Sequence, residues 1–210
     1  MADWYRQKSW SKADEEYFFA KLARARKDGR AQYLKIQALE LTETGIPQLL
    51  DAAEKLIDKL FTEYPEDRFN RPDALVTLGN IYKQRGNIDK AVYYYKQALD
   101  FELVYPQVKT QAYSYFSELV VKTEKTEFYD FVEKIIIKRV NSSLFPIEKY
   151  KGYSILSIIY SHRKDFETAA YFEALAEQNA SAETSGLRYH KYLGIVKDRD
   201  SWLDKLVRKK

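Results

Sequence analysis

The chain carries two histidines, His162 and His190, and no cysteine. Neither histidine falls in a spacing such as His-Glu-x-x-His, which would present two metal ligands on one helical face. A metal site would need carboxylates converging on them from elsewhere in the chain. Without cysteine there is no disulfide framework, no thiolate zinc site and no thiol nucleophile. No two of the seven glycines have the spacing of a phosphate-cradling loop, and there is no Gly-x-Ser-x-Gly elbow. The neighbouring acids Asp14, Glu15 and Glu16 closely follow Ser11. Carboxylates there complement the positive end of a helix, which explains them better than acid–base chemistry. No catalytic, metal or cofactor site is expected.

Two basic clusters could contact phosphate. One is Arg24, Arg26, Lys27 and Arg30; the other is Lys205, Arg208, Lys209 and Lys210. A net charge of +4 is small for a nucleic-acid binder, so solvated helix faces are the simpler reading. The opening MADWYRQKSW lacks the apolar core of a signal peptide. No apolar run approaches the roughly 20 residues that span a bilayer. A cytoplasmic, soluble protein with no membrane partner is the expectation.

The elements that would position any site read as helices. The 210 residues suffice for one ordinary domain or a short repeat array. With only 7 Gly and 5 Pro, the chain suits neither a turn-rich sheet nor a disordered segment. Its 18 tyrosines against one methionine suit helix seams that are apolar on one side and wet on the other. Trp4, Tyr5 and Trp10 make a short aromatic arm expected to dock on the first helices. Ser11 with Asp14 and Glu15 predicts a helix start, and Lys27-Asp28-Gly29 its end. Further helices are predicted over about 30–43, with Leu34, Ala38 and Leu41, and over 47–64, with Ala53, Ile57 and Leu60. Pro47 stands at a first helical position.

The most informative stretch is 72–106. Leu75, Leu78, Gly79 and Tyr82 form one helical stripe, and Ala91, Tyr95 and Ala98 form a facing one. Arg85-Gly86-Asn87 turns the chain between them: Gly86 can take positive φ, and Asn87 can cap the next helix. These seven residues resemble the tetratricopeptide repeat (TPR) family, filling seven of its eight signature places, with Leu103 where its final proline would stand. Weaker copies flank this one. Ala112, Tyr115, Phe116 and Leu119, then Phe128, Val132 and Ile135, give a degenerate copy in which Phe116 and Phe128 replace the small pair Gly79 and Ala91, so a wider hairpin is expected. Tyr153, Leu156, Ser157, Tyr160, Ala169 and Ala176 give the last. Ala53, Ala91, Phe128 and Ala169 recur at spacings of 38, 37 and 41 residues, wider than the family's usual period of about 34.

The resemblance implies an all-α, right-handed superhelix of antiparallel helix pairs with about 9–11 helices. The expected organisation is a single TPR-like domain over 1–210. Within it, 1–29 would be the arm and first helix, 30–182 about four helix pairs, and 183–210 two capping helices. These last would carry Leu187, Tyr189, Leu193 and Val196, then Trp202, Leu203, Leu206 and Val207. It also implies a concave face, lined by the first helix of each pair, that receives a peptide or protein segment. By alignment the face carries Thr77, Asn80, Lys83 and Gln84, then Tyr113 and Ser117, then Lys151, Ser154 and Ile158. Asn80 and Lys151 match places of the family's carboxylate clamp, but Val76 and Ile155 replace its cations, so a carboxylate tail is not the expected ligand. The function so implied is a non-catalytic protein-interaction module. A bacterial regulatory or immunity protein that neutralises a toxin or enzyme, and an RNA-binding helical repeat, are the alternatives.

Overall fold

The computed structural model describes residues 3–207. It contains ten α-helices and no strand among the described residues: α1 (Lys12–Arg24), α2 (Arg30–Glu43), α3 (Pro47–Glu63), α4 (Arg71–Gln84), α5 (Ile88–Val104), α6 (Ala112–Lys122), α7 (Tyr129–Ser142), α8 (Pro146–His162), α9 (Phe166–Ala180) and α10 (Ser201–Val207). This is the all-helical, TPR-like repeat architecture that the spacings imply. None of the described helices is long and apolar enough to cross a membrane. The chain divides into two compact units, one ending at Ala112 and the other beginning at Tyr113.

In the N-terminal unit, Ser11 starts α1 with a reciprocal cap. Its hydroxyl accepts from the Asp14 N–H at 3.2 Å, and the Asp14 carboxylate accepts from its own N–H at 2.8 Å. The cap holds the Asp14 carboxyl below its ordinary value. α1 ends earlier than expected, at Arg24, because Arg30 donates to the carbonyls of Ala23 and Ala25 at 2.7 and 3.1 Å. The aromatic arm lies on α1 and α2. Trp4 packs on Phe18 and Tyr33, and Trp10 on Phe18 and Phe19. The fully buried Gln37 amide accepts from the Gln7 N–H at 3.0 Å and donates to its carbonyl at 2.7 Å. A side chain thereby satisfies a stretch of backbone that joins no helix.

The α4–α5 hairpin turns at Gly86, with φ +74°, and the Asn87 side chain accepts from the Lys90 N–H at 3.1 Å. Gly79 lets the Tyr95 ring cross the hairpin, and the Tyr95 hydroxyl donates to Asn80 Oδ1 at 2.6 Å. Leu34, Leu41, Ile57, Leu60 and Ile81 are fully buried between the helices. Each such side chain contributes about 1.5–3 kcal/mol of burial.

The C-terminal unit shifts the register expected for α6 by one residue. In the α4–α5 turn the Asn87 N–H donates to the Tyr82 carbonyl, and in the α8–α9 turn Asp165 donates to Tyr160. The matching bond after α6 runs from Lys125 to Val120, with Glu124 at φ 53° in the place of Gly86. Val120 is therefore the counterpart of Tyr82 and Tyr160, and Ser117, not Phe116, is the counterpart of Gly79 and Ser157. Ser117 is fully buried, so a small residue occupies this place in all three hairpins. Phe116 faces Phe128 and Phe131 edge-on at 5.6 Å.

One joint occurs twice. At the α3–α4 contact, Glu54 accepts from the Tyr82 hydroxyl and pairs with Arg85 at 2.6 Å, while Arg85 also reaches Asp51 at 2.6 Å. At the α7–α8 contact, Glu133 accepts from Tyr160 and pairs with Arg163 at 2.7 Å, and Arg163 reaches Asp130. Burial opposes ionisation of Glu54 and Glu133, but the tyrosine and arginine bonds outweigh it and hold both carboxyls below their ordinary value.

The tail differs from expectation. Residues around Leu187–Val196 form turns rather than a helix, and Tyr189, Tyr192 and Leu193 stand largely exposed. Gly194, at φ +73°, lies so close to Phe145 that a Cβ would fall 2.3 Å from its ring, and its carbonyl accepts from the Ile147 N–H at 2.8 Å. The loop is pinned to the start of α8, and α10 is the one helix in the described tail.

Candidate functional site

In the N-terminal unit, α2 and α4 are fastened at both ends of a shared face. Lys35 pairs with Asp73 at 3.0 Å. One helical span further on, the Gln84 side chain donates to the Thr42 carbonyl at 3.1 Å, satisfying a group that the end of α2 leaves open. In the same spans of the two helices stand Leu39 on α2 and Asn80 and Lys83 on α4. Leu39 is 37% exposed, Lys83 is exposed and Asn80 is half-buried, its orientation fixed by the bond from Tyr95. Thr77, expected on this face, is buried with its hydroxyl donating to the Asp73 carbonyl at 2.9 Å. It supports the helix instead of facing solvent.

In the C-terminal unit the one-residue shift removes Tyr113 and Ser117 from the expected face. Tyr113 takes the place of Leu75 and Ser117 that of Gly79, and both are buried. Burial, then the nearby Glu148 carboxylate, pushes the Tyr113 hydroxyl up to about 12, while Arg139 lies 4.4 Å from its ring centre. Ser154 and Ile158 hold their expected places on α8 but are also buried. Lys151 stays within reach of solvent and is shared between Glu118 of α6 and Asp200, each at 3.2 Å. Burial alone would lower its pKa; the two carboxylates outweigh this and raise it.

The segment leading into α10 supplies contacts that helical spacing did not foretell. Lys122 of α6 lies 5.2 Å from the Trp202 ring centre. Tyr150 of α8 donates to Asp204 at 2.9 Å, and burial, then this bond, pushes its hydroxyl up to about 12. Leu203 and Val207 are buried. Arg199 pairs with Glu177 of α9 and with Asp204, both at 2.8 Å. The sequence signal for this seat is Asp200-x-x-Leu203-Asp204-x-x-Val207, which places two acids and two apolar residues at helical intervals.

The His162 ring meets Tyr129 edge-on at 5.2 Å, and the His190 carbonyl accepts from the Ser185 hydroxyl. Among the described residues no group of three or more His, Cys, Asp or Glu could hold a metal ion. Within the first basic cluster, Arg30 is engaged in capping α1. Arg208, Lys209 and Lys210 of the second lie outside the described residues. The tetratricopeptide repeat family model matches residues 72–102, within the α4–α5 hairpin. No curated protein and no solved structure matches the chain.

Proposed function

We propose that this tetratricopeptide-repeat protein is a non-catalytic interaction module that binds a protein segment along the face of α2 and α4. The supporting observation is that face itself. The Lys35–Asp73 and Gln84–Thr42 fastenings hold two helices in one geometry, and Leu39 and Lys83 on these helices are exposed with Asn80 half-buried. An exposed leucine beside an amide and a lysine suits a segment with an apolar side chain, free backbone groups and an acid. Binding at a pre-organised face avoids much of the ordering that weakens flexible sites.

The test is affinity capture from the source cell with the wild-type chain and with Leu39→Asp and Lys83→Glu, each checked for unchanged helicity. The same protein should be enriched by the wild type and reduced at least about tenfold by either variant, equal to 1.4 kcal/mol of binding. Capture indifferent to both changes, or retention of RNA alone in a salt-dependent manner, would overturn the proposal.

A further inference from the structure

α10 has the features of a seated ligand. Seven residues are far below the roughly 12–15 at which an isolated helix becomes even marginally stable, so its conformation is supplied by its seat. It is joined to α9 by a long non-helical stretch, 181–200. Two side chains, Leu203 and Val207, anchor it in the interior. Beside them remains a cavity of about 300 Å³ lined in part by Tyr150, Ser154, Glu177 and Val207. This cleft opens to solvent, so water reaches the side of the helix next to Val207. The remaining attachments are polar: Lys151 to Asp200, Tyr150 to Asp204, Arg199 to Glu177, and Lys122 over Trp202. Side-chain exposures of 29% and 33% for Lys151 and Asp200 leave that pair open to screening by salt.

We propose that the surface formed by α6 and α8 is a receptor for a short amphipathic helix of the pattern Asp-x-x-apolar-Asp-x-x-apolar, and that α10 is its resident, displaceable occupant. The partner is a protein helix that presents the same two acids and two apolar residues and exchanges with α10. Lys151 and Tyr150 are the groups that read the acids. This inference rests on the protein-binding role proposed above and assigns a partner chemistry and a competitor to the second unit.

The probe is a fluorescein-labelled peptide with the sequence of residues 198–210, titrated into the full chain and into Leu203→Asp, which unseats α10 without altering the receptor. The variant should bind the peptide at least about tenfold more tightly than the wild type. Adding Lys151→Glu should weaken binding by about tenfold, and a peptide with Asp200 and Asp204 changed to lysine should not bind. Hydrogen exchange on the wild type supplies a readout independent of the variant: α10 amides should exchange at least about a hundredfold faster than those of α8. Absence of peptide binding by a folded Leu203→Asp chain, or protection of α10 equal to that of α8, would sink the inference. Loss of the unit's melting transition in Leu203→Asp would do the same, because α10 would then be a fixed part of the fold. The Lys83→Glu capture run in parallel separates the two claims. If capture still depends on Lys83 while the peptide fails to bind, only the α10 inference falls.

Discussion

Gly79 lies flat against Tyr95: a Cβ on residue 79 would fall 2.3 Å from the tyrosine Cε1, and the ring cannot retreat because its hydroxyl is tied to Asn80. Gly79→Ala therefore forces the fully buried ring to move. The expected loss is about 1–3 kcal/mol despite the better helix propensity of alanine. The α8–α9 hairpin shows the compensation, since Ser157 fits where Glu173 stands in the place of Tyr95. There the Ser157 hydroxyl donates to the Ala169 carbonyl at 2.9 Å. Gly79→Ala with Tyr95→Leu should recover part of the stability, measured by denaturant unfolding.

Acid should loosen the two duplicated joints. Glu54 and Glu133 are held below their ordinary value, so the unfolded chain binds more protons than the folded one around pH 4. Their contribution is complete above the unfolded value of about 4.3 and fades as the pH falls through the folded value. Glu54→Gln and Glu133→Gln should each lower stability at pH 7 by about 1.5 kcal/mol and flatten the decline below pH 5. A pH series of urea midpoints for the wild type and both variants checks this.

Alkali acts on different residues. Tyr113 and Tyr150 each titrate at about 12 in the folded chain. A tyrosine whose folded pKa is raised stabilises fully below the unfolded value of about 10 and loses that contribution as pH rises toward the folded one. Absorbance at the phenolate wavelength should show a late-titrating fraction that shrinks in Tyr113→Phe and in Tyr150→Phe; Tyr82, Tyr94, Tyr129, Tyr153 and Tyr160, also raised, supply the remainder.

The N-terminal arm should loosen when the Gln37 amide of α2 that holds its backbone is removed. Gln37→Ala deletes both bonds to the Gln7 backbone and leaves that N–H and carbonyl unsatisfied, a cost of about 1–3 kcal/mol. In a Trp202→Phe background, emission from Trp4 and Trp10 should shift to the red while the helix content of α2–α5 is retained. An unshifted spectrum would show that the aromatic contacts and the Arg6–Glu40 pair at 2.7 Å hold the arm without it.

The sequence made the α4–α5 hairpin plain because a glycine turn, an asparagine cap and a small residue opposite a tyrosine all agree on one register. α6 sits one position away from the register its spacing predicts, for a physical reason. Its turn uses Glu124 in the left-handed region instead of glycine, and Phe116 beside Ser117 gives two plausible stripes. Leu187, Tyr189, Leu193 and Val196 mimic a helical face, yet Gly186 and Gly194 take positive φ and Gly194 is held against Phe145. Lys83 is exposed, and Lys151 is shared between Glu118 and Asp200. Burial of Thr77 and Ser154 depends on contacts between helices distant in sequence, which periodicity alone does not encode. The seat of α10 was hidden for the same reason, because Lys151 and Asp200 meet only after folding.

Tyr82 and Arg85 precede Tyr160 and Arg163 by 78 residues, and their acidic partners Asp51 and Glu54 precede Asp130 and Glu133 by 79. At the corresponding positions midway between the copies stand Asp89, Val92, Val120 and Thr123, which keep one acid but lack the second acid, the tyrosine and the arginine of the ladder. The chain thus keeps two rulers, a short one that measures single hairpins and a long one that measures pairs. Each unit thus carries its own copy of the clasp, so a change that weakens one leaves the other unit with an intact fastening of the same design.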